Sequence, residues 1–211
     1  MQASIKIAVA GATGRVGRHV VDVLDSQGHE VVPMSRSHGV DVITGEGLAA
    51  ALADVECVID AATGPSAEQA AATAFFTTAA RNLQQAGQEA GVRRVVVVSI
   101  IGTDRFSAGY GAVKIAHEQA MRSGPIPVRV LRAAQFHEFV AQLVTWGTQG
   151  DVSYLPRMRT QLVAARPSPR CSPTWPPNQD PTVRPCPRSP GPGRRAWSRW
   201  RGCSSPGTVA H

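Results

Sequence analysis

Hydrophobic and polar positions alternate along the first 166 residues with two different rhythms. Short β-branched runs at 5–10, 30–35, 40–44, 56–61, 94–100 and 128–133 read as strands. Between them, segments 15–27, 46–53, 68–90 and 110–122 are rich in Ala, Leu, Gln and Val and read as helices, with Gly28, Gly91 and Gly124 as C-capping glycines. The run Val95-Val96-Val97-Val98 is apolar without alternation, which predicts a central strand covered by helices on both faces. Strand and helix in turn imply parallel strands with helical crossovers, so the expected fold class is α/β with a doubly wound parallel sheet. A further helix is expected from His137 to about Thr148, and a strand over 152–155.

The rhythm stops near residue 166. The last 45 residues hold 11 prolines, three of the four tryptophans and three of the four cysteines, with almost no Leu, Ile or Val. Such a segment cannot build a core. The expected organisation is therefore one α/β domain at 1–166, with the C-terminal part of its fold incomplete, followed by a Pro/Arg-rich tail at 167–211. That tail reads as disordered or as a shifted reading frame. If each true codon joins the third base of one tail codon to the first two of the next, the codons ending in Ser168, Cys171, Ser172 and Trp175 all encode apolar residues, taking the serines as TCN. That spacing is the helical i, i+3, i+4, i+7 template.

Splitting the charge the same way changes its meaning. The formal net charge is +7, of which residues 1–166 contribute +1 and the tail +6. A nearly neutral folded part without helix-turn-helix or zinc-finger spacing argues against a nucleic-acid partner. The apolar run at 5–10 is too short for a membrane span or a signal segment and enters a glycine motif directly, so a cytoplasmic protein without a membrane partner is expected. Cys57 lies in an apolar run and reads as a small buried hydrophobe, and Cys171, Cys186 and Cys203 lack metal-ligand spacing, so no metal is expected.

Candidate chemistry begins at Gly11-Ala12-Thr13-Gly14-Arg15-Val16-Gly17, which follows the first expected strand and opens the first helix. In that context Gly11 permits a tight turn, Gly14 lets backbone approach a pyrophosphate and Gly17 allows close helix–strand packing, while free N–H groups and the helix dipole face the anion. The next strand ends in Met34-Ser35-Arg36, with no acid for an adenosine ribose. Arg36, assisted by Arg15, instead suits a 2′-phosphate, so NADP is expected over NAD. Asp41 lies too far along to be the ribose carboxylate. Ser99 ends the 94–100 strand, and Tyr110 and Lys114 stand at i and i+4 on one helix face. An ammonium beside a phenol lowers its pKa toward neutrality, which fits Tyr110 for proton exchange with a carbonyl or alcohol, Ser99 bonding the same oxygen. Asn82 is expected to pack or bond backbone, and His117 and Glu118 to form a solvated helix face. Gln135, Phe136, His137 and Glu138 fall where either pocket lining or helix capping is open.

These residues together, with Asp60-Ala61-Ala62, the stretch VVVVSIIGTD and YxxxK, resemble the short-chain dehydrogenase/reductase superfamily, and more narrowly its atypical NmrA-like, NAD(P)H-binding branch. The resemblance covers roughly residues 4–166 and implies a Rossmann fold. It implies Gly11, Thr13, Gly14, Arg15, Val16 and Gly17 at the pyrophosphate, Ser35 and Arg36 at the 2′-phosphate end, Ala61 and Ala62 beside adenine or ribose, and Lys114 at the nicotinamide ribose. The superfamily's catalytic Ser, Tyr and Lys fall on Ser99, Tyr110 and Lys114. Two features depart from the common pattern: Tyr110 follows Ser99 by only 11 positions, and Leu131-Arg132 is followed by Ala133 where Pro is frequent. The implied function is an NADP(H)-dependent oxidoreductase acting on a small carbonyl, alcohol or quinone-like substrate. The alternatives are an NADP-binding redox sensor without turnover and an inactive product of the altered tail.

Overall fold

The computed structural model describes residues 4–155 and 161–165. They lie within one compact unit, Met1–Pro167. The tail expected at 167–211 is outside the described residues.

Five strands, β1 (Lys6–Ala10), β2 (Glu30–Met34), β3 (Cys57–Asp60), β4 (Arg94–Ile100) and β5 (Val128–Ala133), form one sheet in the order β2-β1-β3-β4-β5. Every pairing is parallel. The flanking helices are α1 (Gly17–Ser26), the short α2 (Leu48–Ala51), α3 (Gln69–Glu89), α4 (Gly109–Arg122) and α5 (Val140–Gly147). Beyond the sheet, β6 (Thr148–Gln149) and β7 (Val152–Ser153) make a small antiparallel hairpin. This is a Rossmann-like α/β architecture. The chain winds outward from β1 to β2 and then returns to β1's other side for β3, so the switch point, where ligands bind in open parallel sheets, lies at the carboxyl ends of β1 and β3.

The core explains why these runs became these elements. Ala8, Ala10, Val58, Val95 and Val97 from the sheet meet Ala80 and Leu83 of α3 and Met121 of α4, all fully buried. β4 is covered unevenly: Val95, Val97 and Ser99 are buried, whereas Val96, Val98 and Ile100 are only half-buried. The four-valine run thus marks a central strand whose second face is partly open among the described residues. Cys57 is a buried free thiol, and burial pushes its pKa up, as suits a small hydrophobe.

Three local expectations are corrected. Residues 40–44 are not a strand, because the Asp41 carboxylate accepts the N–H groups of Ile43 (2.7 Å) and Thr44 (3.4 Å) in a tight turn. The Asn82 side-chain amide then donates to the Val42 and Ile43 carbonyls (2.9 and 2.8 Å), groups a neighbouring strand would need. Asn82 therefore bonds backbone, as its helical position indicated. The helix expected at 46–53 shrinks to α2 because Gly47 takes a left-handed backbone (φ 74°) at its start. Gly124 does not cap α4 with a left-handed turn: the cap residue is Ser123 at φ −78°, and Gly124 is small because a Cβ there would sit 2.5 Å from the Gln84 side chain.

Candidate functional site

At the switch point the glycine turn is clamped from both sides. Gly11 has φ +74°, and a Cβ on it would lie 2.7 Å from Ala62 Cα and 2.8 Å from the Ala61 carbonyl oxygen. The Gly11 and Ala12 N–H groups donate to the Met34 carbonyl (3.0 and 3.2 Å), tying the turn to the end of β2. Gly14 N–H donates back to the Gly11 carbonyl (2.9 Å), and Gly17 packs on that same carbonyl so closely that any side chain would overlap it. Thr13 and Arg15 are exposed and Val16 is half-buried. No side chain caps the start of α1. Tight backbone, missing Cβ atoms and an uncapped helix start together fit a pyrophosphate approaching the backbone.

Ser35 and Arg36 follow β2 on the same edge of the sheet. Ser35 is extended and its hydroxyl is bonded with Ser37 (2.9 Å) and His38 Nδ1 (2.7 Å), while Arg36 is exposed at the start of a single 3-10 turn, Arg36–His38. Arg15 donates from its guanidinium to the Gln142 amide oxygen of α5, so the glycine loop's one cation is held against that helix. Ala61 and Ala62 are half-buried at the end of β3, and the Ala62 N–H donates to Asp60 Oδ1 (3.0 Å). Beside them an open apolar cavity of about 310 Å³ is lined by residues that include Ile43, Gly64, Pro65 and Phe75.

The expected Ser-Tyr-Lys group is arranged differently from the sequence expectation. Ser99 is buried and its hydroxyl donates to Glu118 Oε1 (2.5 Å). Tyr110 is half-buried, edge-on to Phe76 (centroids 6.2 Å apart), and its hydroxyl has no hydrogen-bond partner among the described residues. Burial pushes the phenol's pKa up, opposite to the expected lowering by Lys114. The reason is where the ammonium goes. Lys114 Nζ sits 4.4 Å over the Phe76 ring and 3.0 Å from His117 Nδ1, and His117 Nε2 is 2.9 Å from Asp60 Oδ2. Burial lowers the Lys114 pKa to about 8, against the opposing charges of Asp60 and Glu118. Burial also acts to raise the Asp60 pKa, but the hydrogen bond and charge of His117, the charge of Lys114 and the Ala62 N–H together hold it below the usual carboxylate range.

His117 and Glu118 are therefore not a solvated face: they are 0% and 4% exposed. Glu118 receives Arg132 as a fork (Nε to Oε1 3.0 Å, Nη2 to Oε2 2.8 Å) as well as the Ser99 hydroxyl. Burial works to raise this carboxyl's pKa, but the bonds from Arg132 and Ser99 and the charges of Arg132 and Arg122 bring it down. A sequence signal for both residues existed. Val113, Lys114, His117, Glu118 and Met121 share one helical stripe, and its apolar members already pointed that stripe at the core. Gln135, His137 and Glu138 engage the 161–165 segment: the Gln135 carbonyl and His137 N–H pair with Val163 (both 2.9 Å), and Glu138 accepts the Ala165 N–H (3.2 Å).

Residues 11–123 match the model of a family described as NAD(P)H-binding, and this stretch contains the glycine turn, Arg36, Ala61-Ala62, Tyr110 and Lys114. The chain belongs to that NAD(P)H-binding family. Its membership is of the atypical short-chain dehydrogenase/reductase kind, as the motifs implied. Over 111 residues the chain is 31% identical to the photosystem II assembly factor Ycf39 of Synechocystis, covering 46% of this chain and 34% of that protein. A short-chain dehydrogenase/reductase superfamily protein from Agrobacterium tumefaciens with bound NAD is 27% identical at a TM-score of 0.52, over 63% of this chain and 50% of that one. The Bordetella bronchiseptica enzyme WbmG in complex with NAD shares the fold at 20% identity and a TM-score of 0.54, over 64% of this chain and 54% of that one. The chain thus spans about a third to a half of the length of these relatives. Among the described residues no helix is long and apolar enough to cross a membrane.

Proposed function

We propose that this NAD(P)H-binding protein is an NADP(H)-dependent oxidoreductase that reduces a small carbonyl or quinone-like compound, or oxidises the corresponding alcohol. The observation that carries the reading is the clamped glycine turn at the uncapped start of α1, with exposed Arg36 on the same edge where an NAD-selective site would offer a carboxylate. Arg36 would hold a 2′-phosphate through its fork of N–H groups, and the apolar cavity beside Ala61-Ala62 suits the flat adenine. Lys114 would hold the nicotinamide ribose. A nicotinamide nucleotide supplies or accepts hydride when bound; the protein's own part is to place the substrate oxygen and manage its proton. Tyr110, whose burial keeps the phenol protonated at neutral pH, would donate that proton from its hydroxyl oxygen in the reducing direction.

A second reading, cofactor binding without turnover, is favoured by one observation: the Ser99 hydroxyl already donates to buried Glu118 rather than facing a substrate oxygen. Both readings share a first experiment, titration of the purified full chain with NADPH and NADH alongside Arg36→Ala. NADPH-selective binding that weakens in the variant supports the cofactor assignment, and equal affinity for the two nucleotides would overturn the NADP preference. A screen of aldehydes, ketones and quinones against NADPH oxidation, with Tyr110→Phe as control, then separates the enzyme from the binder.

A further inference from the structure

Three polar side chains line up inside the sheet–helix interface, and only one of them, Lys114, belongs to the YxxxK motif. Asp60 closes β3, His117 comes from the inner face of α4, and Lys114 stands one turn before it; they are 1%, 0% and 5% exposed. Asp60 Oδ2 is 2.9 Å from His117 Nε2, and His117 Nδ1 is 3.0 Å from Lys114 Nζ. An ionised carboxylate can only accept, so the hydrogen on Nε2 belongs to His117 and points at Asp60. While the row keeps its extra proton, Nδ1 faces Lys114 in one of two ways: as an acceptor from a charged ammonium, or as a donor to a neutral amine. The row therefore shares a single positive charge, opposed by the single negative charge of Asp60. Burying that charge without a partner is strongly unfavourable, so the row must act as a unit.

The groups around Lys114 leave little else to hold it. α3 faces it with the Phe76 ring, β3 with Asp60, and α4 with His117 and Glu118, the last already engaged by Arg132 and Ser99, while Tyr110 packs on the same Phe76 ring. Asp60 is also fixed to the cofactor edge through the Ala62 N–H (3.0 Å). We propose that His117 and Asp60 are positioning residues that hold the Lys114 side chain at the nucleotide-binding edge and set whether it carries its proton there, making cofactor affinity pH-dependent. The proposal rests on the reading above that Lys114 contacts the nucleotide. It adds two residues that the YxxxK pattern does not contain.

The consequence has a definite direction. A charged Lys114 favours an electron-rich nucleotide, so affinity is high below the pH at which the amine loses its proton and falls above it; burial places that step near pH 8. Asp60→Asn keeps the shape but removes the negative charge, and His117→Gln keeps a donor toward Asp60 but moves the acceptor off the Nδ1 position that faces Lys114. Each makes the charged form harder to maintain, so each moves the fall in affinity to lower pH.

The test is NADPH affinity of the full chain by fluorescence titration from pH 6 to 9.5, for wild type, Asp60→Asn and His117→Gln. A shift of the midpoint by one pH unit or more in the variants is the expected result. An unchanged midpoint in variants that still bind overturns the proposal and leaves the cofactor reading standing, since a purely structural pair would lower thermal stability without moving the profile. Wild type that binds NADPH at no pH overturns both. A measurement on wild type alone guards against variants that do not fold: the His117 Nδ1 resonance in a 15N-labelled chain should move over the same pH range as the affinity. A resonance unchanged across that range overturns the proposal.

Discussion

Arg132→Met tests the reasoning about buried charge most directly. Arg132 reaches Glu118 with two hydrogen bonds, 3.0 and 2.8 Å, while the Glu118 side chain is only 5% exposed. Removing the guanidinium leaves a buried carboxylate with Ser99 as its remaining hydrogen-bond donor among the described residues. Breaking a buried pair in this way costs about 3–5 kcal/mol, and because the Arg132 side chain is 37% exposed the lower end, about 3 kcal/mol, applies here. For a domain of this size that corresponds to a fall in Tm of roughly 6–12 °C.

The pH dependence supplies the sharper check. In wild type the Glu118 pKa is held below its ordinary value of 4.5, so its contribution to stability is present above that pH and is lost as pH falls through the folded-state value. Without Arg132, burial is opposed by the Ser99 bond and the Arg122 charge alone, so the folded-state pKa rises from its wild-type position. The Glu118 contribution at neutral pH then shrinks, while at a pH low enough to protonate the carboxyl in both chains the difference between them disappears. The penalty of Arg132→Met should therefore be largest at pH 7 and shrink toward pH 4, and adding Glu118→Gln should recover most of it at pH 7. Urea denaturation at pH 4, 5, 6 and 7 measures this. A penalty equal at all four, with no recovery in the double variant, would mean that Arg132 acts by packing and that the charge argument is wrong.

Three further outcomes are expected. Gly17→Ala forces a Cβ into the Gly11 carbonyl, backbone against backbone, so the glycine turn must open; NADPH affinity should fall at least about tenfold by titration, and retained affinity would refute the clamped-turn geometry. Gln84→Ala deletes an amide that donates to the Met121 and Ile126 carbonyls (2.9 and 3.3 Å) and accepts the Ile126 N–H (2.9 Å); chemical denaturation should show a loss of about 2–3 kcal/mol, whereas a loss near zero would mean water replaces those bonds. Tyr110→Phe removes a hydroxyl without a protein partner among the described residues, so stability should stay within about 1 kcal/mol in a thermal melt while any carbonyl reduction falls by about a hundredfold or more; a reduction rate equal to wild type would exclude the phenol as proton donor.

The amino-acid sequence by itself determined the alternating elements, the parallel sheet and the glycine turn, because each is a local rule. β-branched runs of five to seven residues, Ala-rich helical segments and three glycines spaced around a strand end need no knowledge of distant neighbours. Strand limits such as Arg94–Ile100 and Val128–Ala133 agree with that pattern to the residue. What only the tertiary structure decided depends on partners far apart in the chain. Residues 40–44 have strand composition, yet Asn82, some 40 positions on, occupies their carbonyls. His117 and Glu118 read as a solvated helix face until Asp60 and Arg132 arrive from β3 and β5 to satisfy them. Lys114 lies one helical turn from Tyr110, but spacing does not say which way an ammonium on a four-carbon stem will turn. Here a buried imidazole backed by a carboxylate offers the stronger electrostatic partner, so the ammonium follows His117 and the phenol is left to its burial. Periodicity records which face of an element is inside; which polar groups meet there is set by long-range pairing, because a buried charge is stable only beside a partner that the fold must bring to it.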